Sequence, residues 1–285
     1  MERIYLDHAA TAPVHPDVAA GMVHWMTEQF GNPSSIHYFG RQSRRAIDEA
    51  RATIARSLGA KETEIVFTSG GTEADNFALI GTAMANRGRG NHIITTAIEH
   101  HAVLRACEYL EKQGFDVTYL PVDEQGLVSV DDVKAALRDE TILVSVMFAN
   151  NEVGTIQPIR EIGALLRDHP AYFHTDAVQA YGLLSIDVNE YGVDLLSLSS
   201  HKINGPKGSG ALYARETVRI TPLLFGGEQE RKRRAGTENV PGIIGLARAA
   251  EIAERTREEK HKQYTAWREA MLDIFRSSGI DYVVN

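Results

Sequence analysis

Cys107 is the only cysteine in 285 residues. No disulfide can form within the chain, and a reducing compartment is expected. The opening stretch MERIYLDHAATAPVHP has neither the basic nor the apolar region of a secretory leader. No apolar run approaches the length of a membrane-spanning helix. A cytoplasmic protein with no membrane association follows. Positive charge is also in short supply: 30 Lys and Arg against 38 Asp and Glu leave a formal net charge of −8. That balance argues against direct nucleic-acid binding. Internal repeats and low-complexity tracts are missing. So are a Gly-x-Ser-x-Gly nucleophile turn and a phosphate loop closed by a lysine.

What is present alternates. Apolar, β-branched runs occur at 64–69, 92–96, 115–120, 141–149, 171–176, 193–199 and 209–214, and helical patterns such as 48–60 and 72–87 fill most of the gaps. Strands alternating with helices predict an α/β fold: a mainly parallel central sheet with helices on both faces. Ligands of such sheets gather at the carboxyl ends of the strands. The length suffices for one large domain and part of a smaller one. A long helical pattern over roughly 241–277 ends at Gly279, and IDYVVN (280–285) reads as the first strand of a further unit. The irregular stretch 223–242, with Gly226, Gly227, a basic run and Pro241, reads either as a solvated loop or as one that reaches an anion or a neighbouring subunit.

Candidate chemistry falls at the strand ends. FTSGGTEADN (67–76) is a strand, a glycine pair and a helix start; Thr72 and backbone N–H groups there suit an anion, though Gly70 and Gly71 equally suit a plain tight turn. Asp176 closes the run YFHTD, as a carboxylate for a cation or as the cap of a helix over AVQAYG. His174 and Asp176 as metal ligands lack a third partner at convincing spacing. EHHAV places His100 after another strand. NNEVG places Asn150 and Asn151 after a fourth, where a simple turn also fits. SLSSHKINGPKG carries Ser199, His201 and Lys202. A Ser–Lys hydrolase is one reading of that pair. Cys107 shares a helical face with Val103 and Leu110 and reads as a buried apolar residue rather than a nucleophile. A phosphate cradle, a carboxylate, an imidazole and a lysine at the ends of one sheet together suit pyridoxal 5′-phosphate.

YLDHAATAPV, GNPSSIH, FTSGGTEADN, EHHAV, NNEVGTIQP, FHTDAVQA, SLSSHKINGPKG and RRAGTEN, in this order, resemble the successive motifs of the cysteine desulfurases, in the class V aminotransferase group of fold-type I enzymes. The resemblance implies that Lys202 holds the cofactor covalently and that Asp176 faces its ring nitrogen. His100 would stack on the ring and move protons. Gln179 would bond the ring hydroxyl. Gly71, Thr72, Ser199 and His201 would hold the phosphate, and Asn151 would contact cofactor or substrate. Thr237 would reach the phosphate of a partner subunit, making a homodimer. The reaction implied converts L-cysteine to L-alanine and leaves a persulfide on the enzyme. Its sulfur passes to acceptor proteins for iron–sulfur clusters or tRNA thiolation.

The resemblance also divides the chain: an N-terminal segment, 1–14, associated with a small domain; a large cofactor-binding domain, 15–260; and a linking helix with the start of a truncated small domain, 261–285. The family's nucleophilic cysteine loop would lie beyond Asn285, so the chain as given is expected to be inactive in sulfur transfer. Alternatives are another class V enzyme, such as a selenocysteine lyase or an aminotransferase, or a non-catalytic protein that binds the cofactor or pairs with a full-length subunit.

Overall fold

The computed structural model describes residues 3–284. All seven apolar runs form strands of one sheet: β1 (Ile65–Thr68), β2 (His92–Thr96), β3 (Asp116–Leu120), β4 (Thr141–Ser145), β5 (Tyr172–Asp176), β6 (Leu195–Ser199) and β7 (Gly210–Ala214). Their spatial order is β1-β7-β6-β5-β4-β2-β3. The four pairings from β3 to β6 are parallel, while β7 runs antiparallel to both β6 and β1. A strand buried on both faces reads as a continuous apolar run, and β4 and β6 are buried throughout.

Alternate residues feed two cores. Ile94, Val144, Leu196, Leu198 and Tyr213 face one side, where α2 (Tyr38–Ser57), α7 (Ile159–Leu166) and the first half of α8 (Val240–Ser278) cover the sheet. Ile93, Leu143, Leu195 and Leu212 face the other. That side is covered by α3 (Gly71–Asn76), a π-helical turn (Phe77–Gly81), α4 (Thr82–Asn86) and α5 (His101–Lys112). Val103, Cys107 and Leu110 of α5 are fully buried there, as their shared face predicts. Helix α1 (Pro16–Thr27) rests against α8, and α6 (Val130–Ala136) lies near α7.

Helix α8 ends at Gly279, whose φ of 70° is the left-handed conformation that glycine adopts without strain. The strand expected at 280–285 does not form over 280–284, and Asn285 lies outside the described residues. An extended segment becomes a strand only where a neighbour accepts its ladder of hydrogen bonds, and among the described residues none lies beside this one. Nor does AVQAYG form a helix: residues 178–180 are a turn.

Candidate active site

Four of the parallel strands, and the turns that follow them, deliver side chains to one cleft of about 580 Å³ at their carboxyl ends. Gly71, Thr72, His100, Asn151, Asp176, Gln179, Ser199, His201 and Lys202 all line it. Thr237 does not. It is exposed beside a separate cavity of about 110 Å³, with Ser69, Arg234 and Asn239.

Lys202 sits in a single 3₁₀ turn, Ser200–Lys202, directly after β6. The turn is tied down by Ser200 N–H donating to Ser209 O (3.0 Å) and Gly205 N–H donating to Ser200 O (3.0 Å). Lys202 Nζ donates to the carbonyls of Ala9 and Ala10, the latter at 3.0 Å. Burial lowers its pKa, against the pull of Asp176, Asp7 and Glu152. Lowering favours the neutral amine that a nucleophile or base requires. The N-terminal segment that supplies these carbonyls is itself fastened here. Gln179 Nε2 donates to Ala9 O (3.0 Å), Thr11 Oγ1 bonds His201 Nδ1 (3.0 Å), and Ala12 N–H donates to His201 O (3.0 Å). Burial, then Lys202 and Lys207, lower the His201 pKa.

Asp176 ends β5, with its carboxyl 4% exposed and Oδ1 accepting from Val178 N–H (2.9 Å). Its pKa is raised by burial and pulled back by Val178 N–H, His100 and Lys202. His100 caps α5: Nδ1 accepts from Ala102 N–H (3.1 Å). A neutral ring therefore carries its proton on Nε2.

At the opposite wall, Gly70 has φ of 150°, a conformation that side chains rarely adopt, and a Cβ on Gly71 would stand 2.8 Å from Val178. The turn is held by Glu73, which accepts from Ser69 N–H (2.7 Å) and pairs with Arg234 Nε (2.8 Å).

That ion pair is part of a wider pattern in 223–242. Glu230 is buried in a bidentate pair with Arg51, both bonds 2.7 Å, and also accepts from Phe67 N–H (2.9 Å); Glu238 pairs with Arg44 (2.6 Å). The basic run is spent internally, with Arg231, Arg233 and Arg234 all bonded within the chain. The solvated-loop reading fails, because three carboxylate–arginine pairs bind the stretch to α2 and α3.

His174 is not a ligand. Its ring is buried between the hydroxyls of Ser145 (2.8 Å) and Ser197 (3.1 Å), and burial pushes its pKa down to about 3. Asn150 makes the turn, accepting from Glu152 and Val153 N–H, while Asn151 faces the cleft.

The sequence reading missed two buried acids. Asp75 lines the cleft floor. Glu99, fully buried, accepts at Oε1 from Thr96 Oγ1 (2.7 Å) and Met147 N–H (2.8 Å), and burial pushes its pKa up to about 8. Spacing could have found Asp75, four residues after Gly71 on the same helical face.

The aminotransferase class-V family matches residues 4–279. The chain belongs to the class-V aminotransferase family. This class-V chain is 62% identical over 285 residues to a protein named putative cysteine desulfurase IscS 1 from Bacillus subtilis, covering all of this chain and 75% of that one. It is 58% identical over 270 residues to the cysteine desulfurase IscS of Methanosarcina thermophila, covering 95% of this chain and 67% of that one. Among solved structures, a NifS-like protein superposes with a TM-score of 0.95 at 41% identity, over 98% of this chain and 77% of that chain. SspA in complex with cysteine superposes with a TM-score of 0.85 at 44% identity, over 90% and 77%. The mainly parallel sheet expected from the strand–helix alternation and the class-V membership expected from the motifs both hold.

Proposed function

We propose that this class-V chain carries the cofactor site of a pyridoxal 5′-phosphate-dependent cysteine desulfurase, acting on L-cysteine. The observation that carries the reading is the convergence of Lys202, Asp176 and His100 on one cleft opposite the Gly70–Gly71 turn. The donor set fits the group. An amine whose pKa burial lowers suits its aldehyde. A buried carboxylate suits a protonated ring nitrogen. A turn that a Cβ at Gly71 would fill, with Thr72 and Ser199 beside it, suits a phosphate. Names of relatives that act on cysteine, and a neighbour solved with cysteine, support the substrate.

Bound pyridoxal phosphate supplies an aldehyde for capture of an amino group and a cationic ring that takes up the electron pair released at the substrate α-carbon. The rest is the work of side chains. Lys202 Nζ would hold the cofactor covalently and, when free, would be the base for the α-proton. Asp176 holds the ring nitrogen charged. His100, with Nδ1 occupied, moves protons at Nε2. Gln179 bonds the ring hydroxyl. Thr72, Ser199, His201 and the Gly71 N–H would hold the phosphate, and Asn151 would contact the cofactor or the substrate. Thr237, exposed outside the cleft, reaches the phosphate of a second copy in a homodimer.

Sulfur leaves the substrate by attack of a thiolate, giving alanine after protonation and a persulfide on the attacking thiol. Cys107 does not supply it: the thiol is buried in α5, and burial holds it protonated. No other cysteine occurs among the 285 residues, so the attacking thiol is not one of them.

Borohydride reduction of the protein loaded with the cofactor, followed by peptide mapping, tests the assignment. The adduct is expected on Lys202 and absent from Lys202→Ala. An adduct that persists on another lysine refutes it. Alanine release from L-cysteine with an added thiol tests the substrate.

A further inference from the structure

The proposed chemistry gives one buried group of the cleft no task. Asp75, on α3, is 1% exposed, and its Oδ1 has no hydrogen-bond partner. Asp75, Asp176 and His100 each place an oxygen or ring nitrogen within 4.8 Å of the others. The groups facing Asp75 come from three directions. His174 on β5 stands 3.7 Å away and is neutral, because burial depresses its pKa. Ser197 on β6 offers a hydroxyl. Glu99, before α5, adds a further buried acid.

Two buried carboxyls this close do not both stay ionised when no cation lies between them. Their surroundings decide which one keeps a proton. Asp176 accepts a backbone N–H, and its neighbours His100 and Lys202 pull its pKa back down. Asp75 has burial and two neighbouring acids against its charge, and only the Ser197 hydroxyl in favour. A protonated carboxyl is a hydrogen-bond donor. Asp176 is an acceptor with a lone-pair side to spare.

We infer that Asp75 is a positioning residue: a neutral acid whose O–H is directed at the Asp176 carboxylate, so that the cleft floor carries a single negative charge, fixed on Asp176. The inference rests on the reading that Asp176 faces the ring nitrogen of the cofactor. An anion at Asp75 would split the counter-charge between two places. An apolar residue there would leave Asp176 free to turn.

The test has two arms. The first needs no cofactor. Infrared spectra of the cofactor-free Glu99→Gln variant, in which the other buried acid is silenced, are expected to show the carbonyl stretch of a protonated carboxyl at neutral pH. The Glu99→Gln/Asp75→Asn double variant is expected to lack it. If Glu99→Gln shows no such band, Asp75 is ionised and the inference is overturned. The second arm is rescue, read as the dissociation constant of pyridoxal phosphate. Asp75→Asn keeps a donor and is expected within about threefold of wild type, whereas Asp75→Ala is expected to bind at least about tenfold more weakly. Equal weakening in both overturns the donor role. Should wild-type protein bind no pyridoxal phosphate, the cofactor reading fails, and the infrared arm alone decides the protonation of Asp75.

Discussion

Glu99→Gln should change how stability depends on pH. The Glu99 carboxyl is fully buried, and its pKa moves from the ordinary 4.5 to about 8. Folded protein therefore retains a proton that the unfolded chain has released. Below pH 4.5 both states hold it and Glu99 contributes no pH dependence. As pH rises from there toward 8, the unfolded state loses the proton first and gains relative stability. Each pH unit in that window costs the fold about 1.4 kcal/mol, for a total on the order of 5 kcal/mol. Glutamine has the same shape, and its Oε1 still accepts from Thr96 and Met147 N–H. Its amide nitrogen takes the place of Oε2, which has no partner in the wild type. That orphan donor shifts the whole curve by about 1–3 kcal/mol without altering its slope. Urea unfolding of the cofactor-free protein at half-unit steps from pH 5 to 7.5 reads the slope directly. Wild type should lose about 1.4 kcal/mol per pH unit relative to Glu99→Gln. Because Glu99 raises the Asp75 pKa, both proteins are compared in an Asp75→Asn background. Parallel curves would show that Glu99 is ionised in the fold, and the electrostatic account of the cleft floor would go with it.

Arg51→Met strands the Glu230 carboxylate against Phe67 N–H in the interior. A loss of about 3–5 kcal/mol is expected, with faster proteolysis within 229–239, and unchanged cleavage there would mean that other contacts hold the stretch. Cys107→Ser places a hydroxyl in the apolar core under α5. It should cost about 1–3 kcal/mol while leaving cofactor affinity unchanged, and a loss of affinity would tie this residue to the cleft.

The sheet was legible because six of its seven strands are buried along almost their whole length and are written as blocks of β-branched and apolar residues. The long helix was legible from its period, and its end from Gly279. The strand-end residues were legible as a set, since a parallel sheet collects whatever follows its strands. What stayed hidden depends on contacts between distant segments. Nothing in HAAT announces that the Ala9 and Ala10 carbonyls meet Lys202, about 190 residues later. Glu99 reads as a surface charge beside His100 until the end of β4 closes over it. The basic run at 231–234 reads as exposed for the same reason, because its carboxylate and carbonyl partners lie on α3 and the loop before β1. The missing strand at 280–284 shows the reverse error: local propensity was right for an extended chain, but a strand also needs a neighbour.

The reversal of β7 has a kinetic consequence. Because β7 runs antiparallel to β6, only residues 200–209 separate the two strands, and the lysine turn lies inside that connection. A β-hairpin forms in about 1–10 μs, whereas parallel pairing must first close a long crossover. The expected order of assembly puts the lysine turn first and the walls bearing Gly71, His100 and Asp176 later, which pulse-labelled hydrogen exchange would read as earlier protection of 195–214.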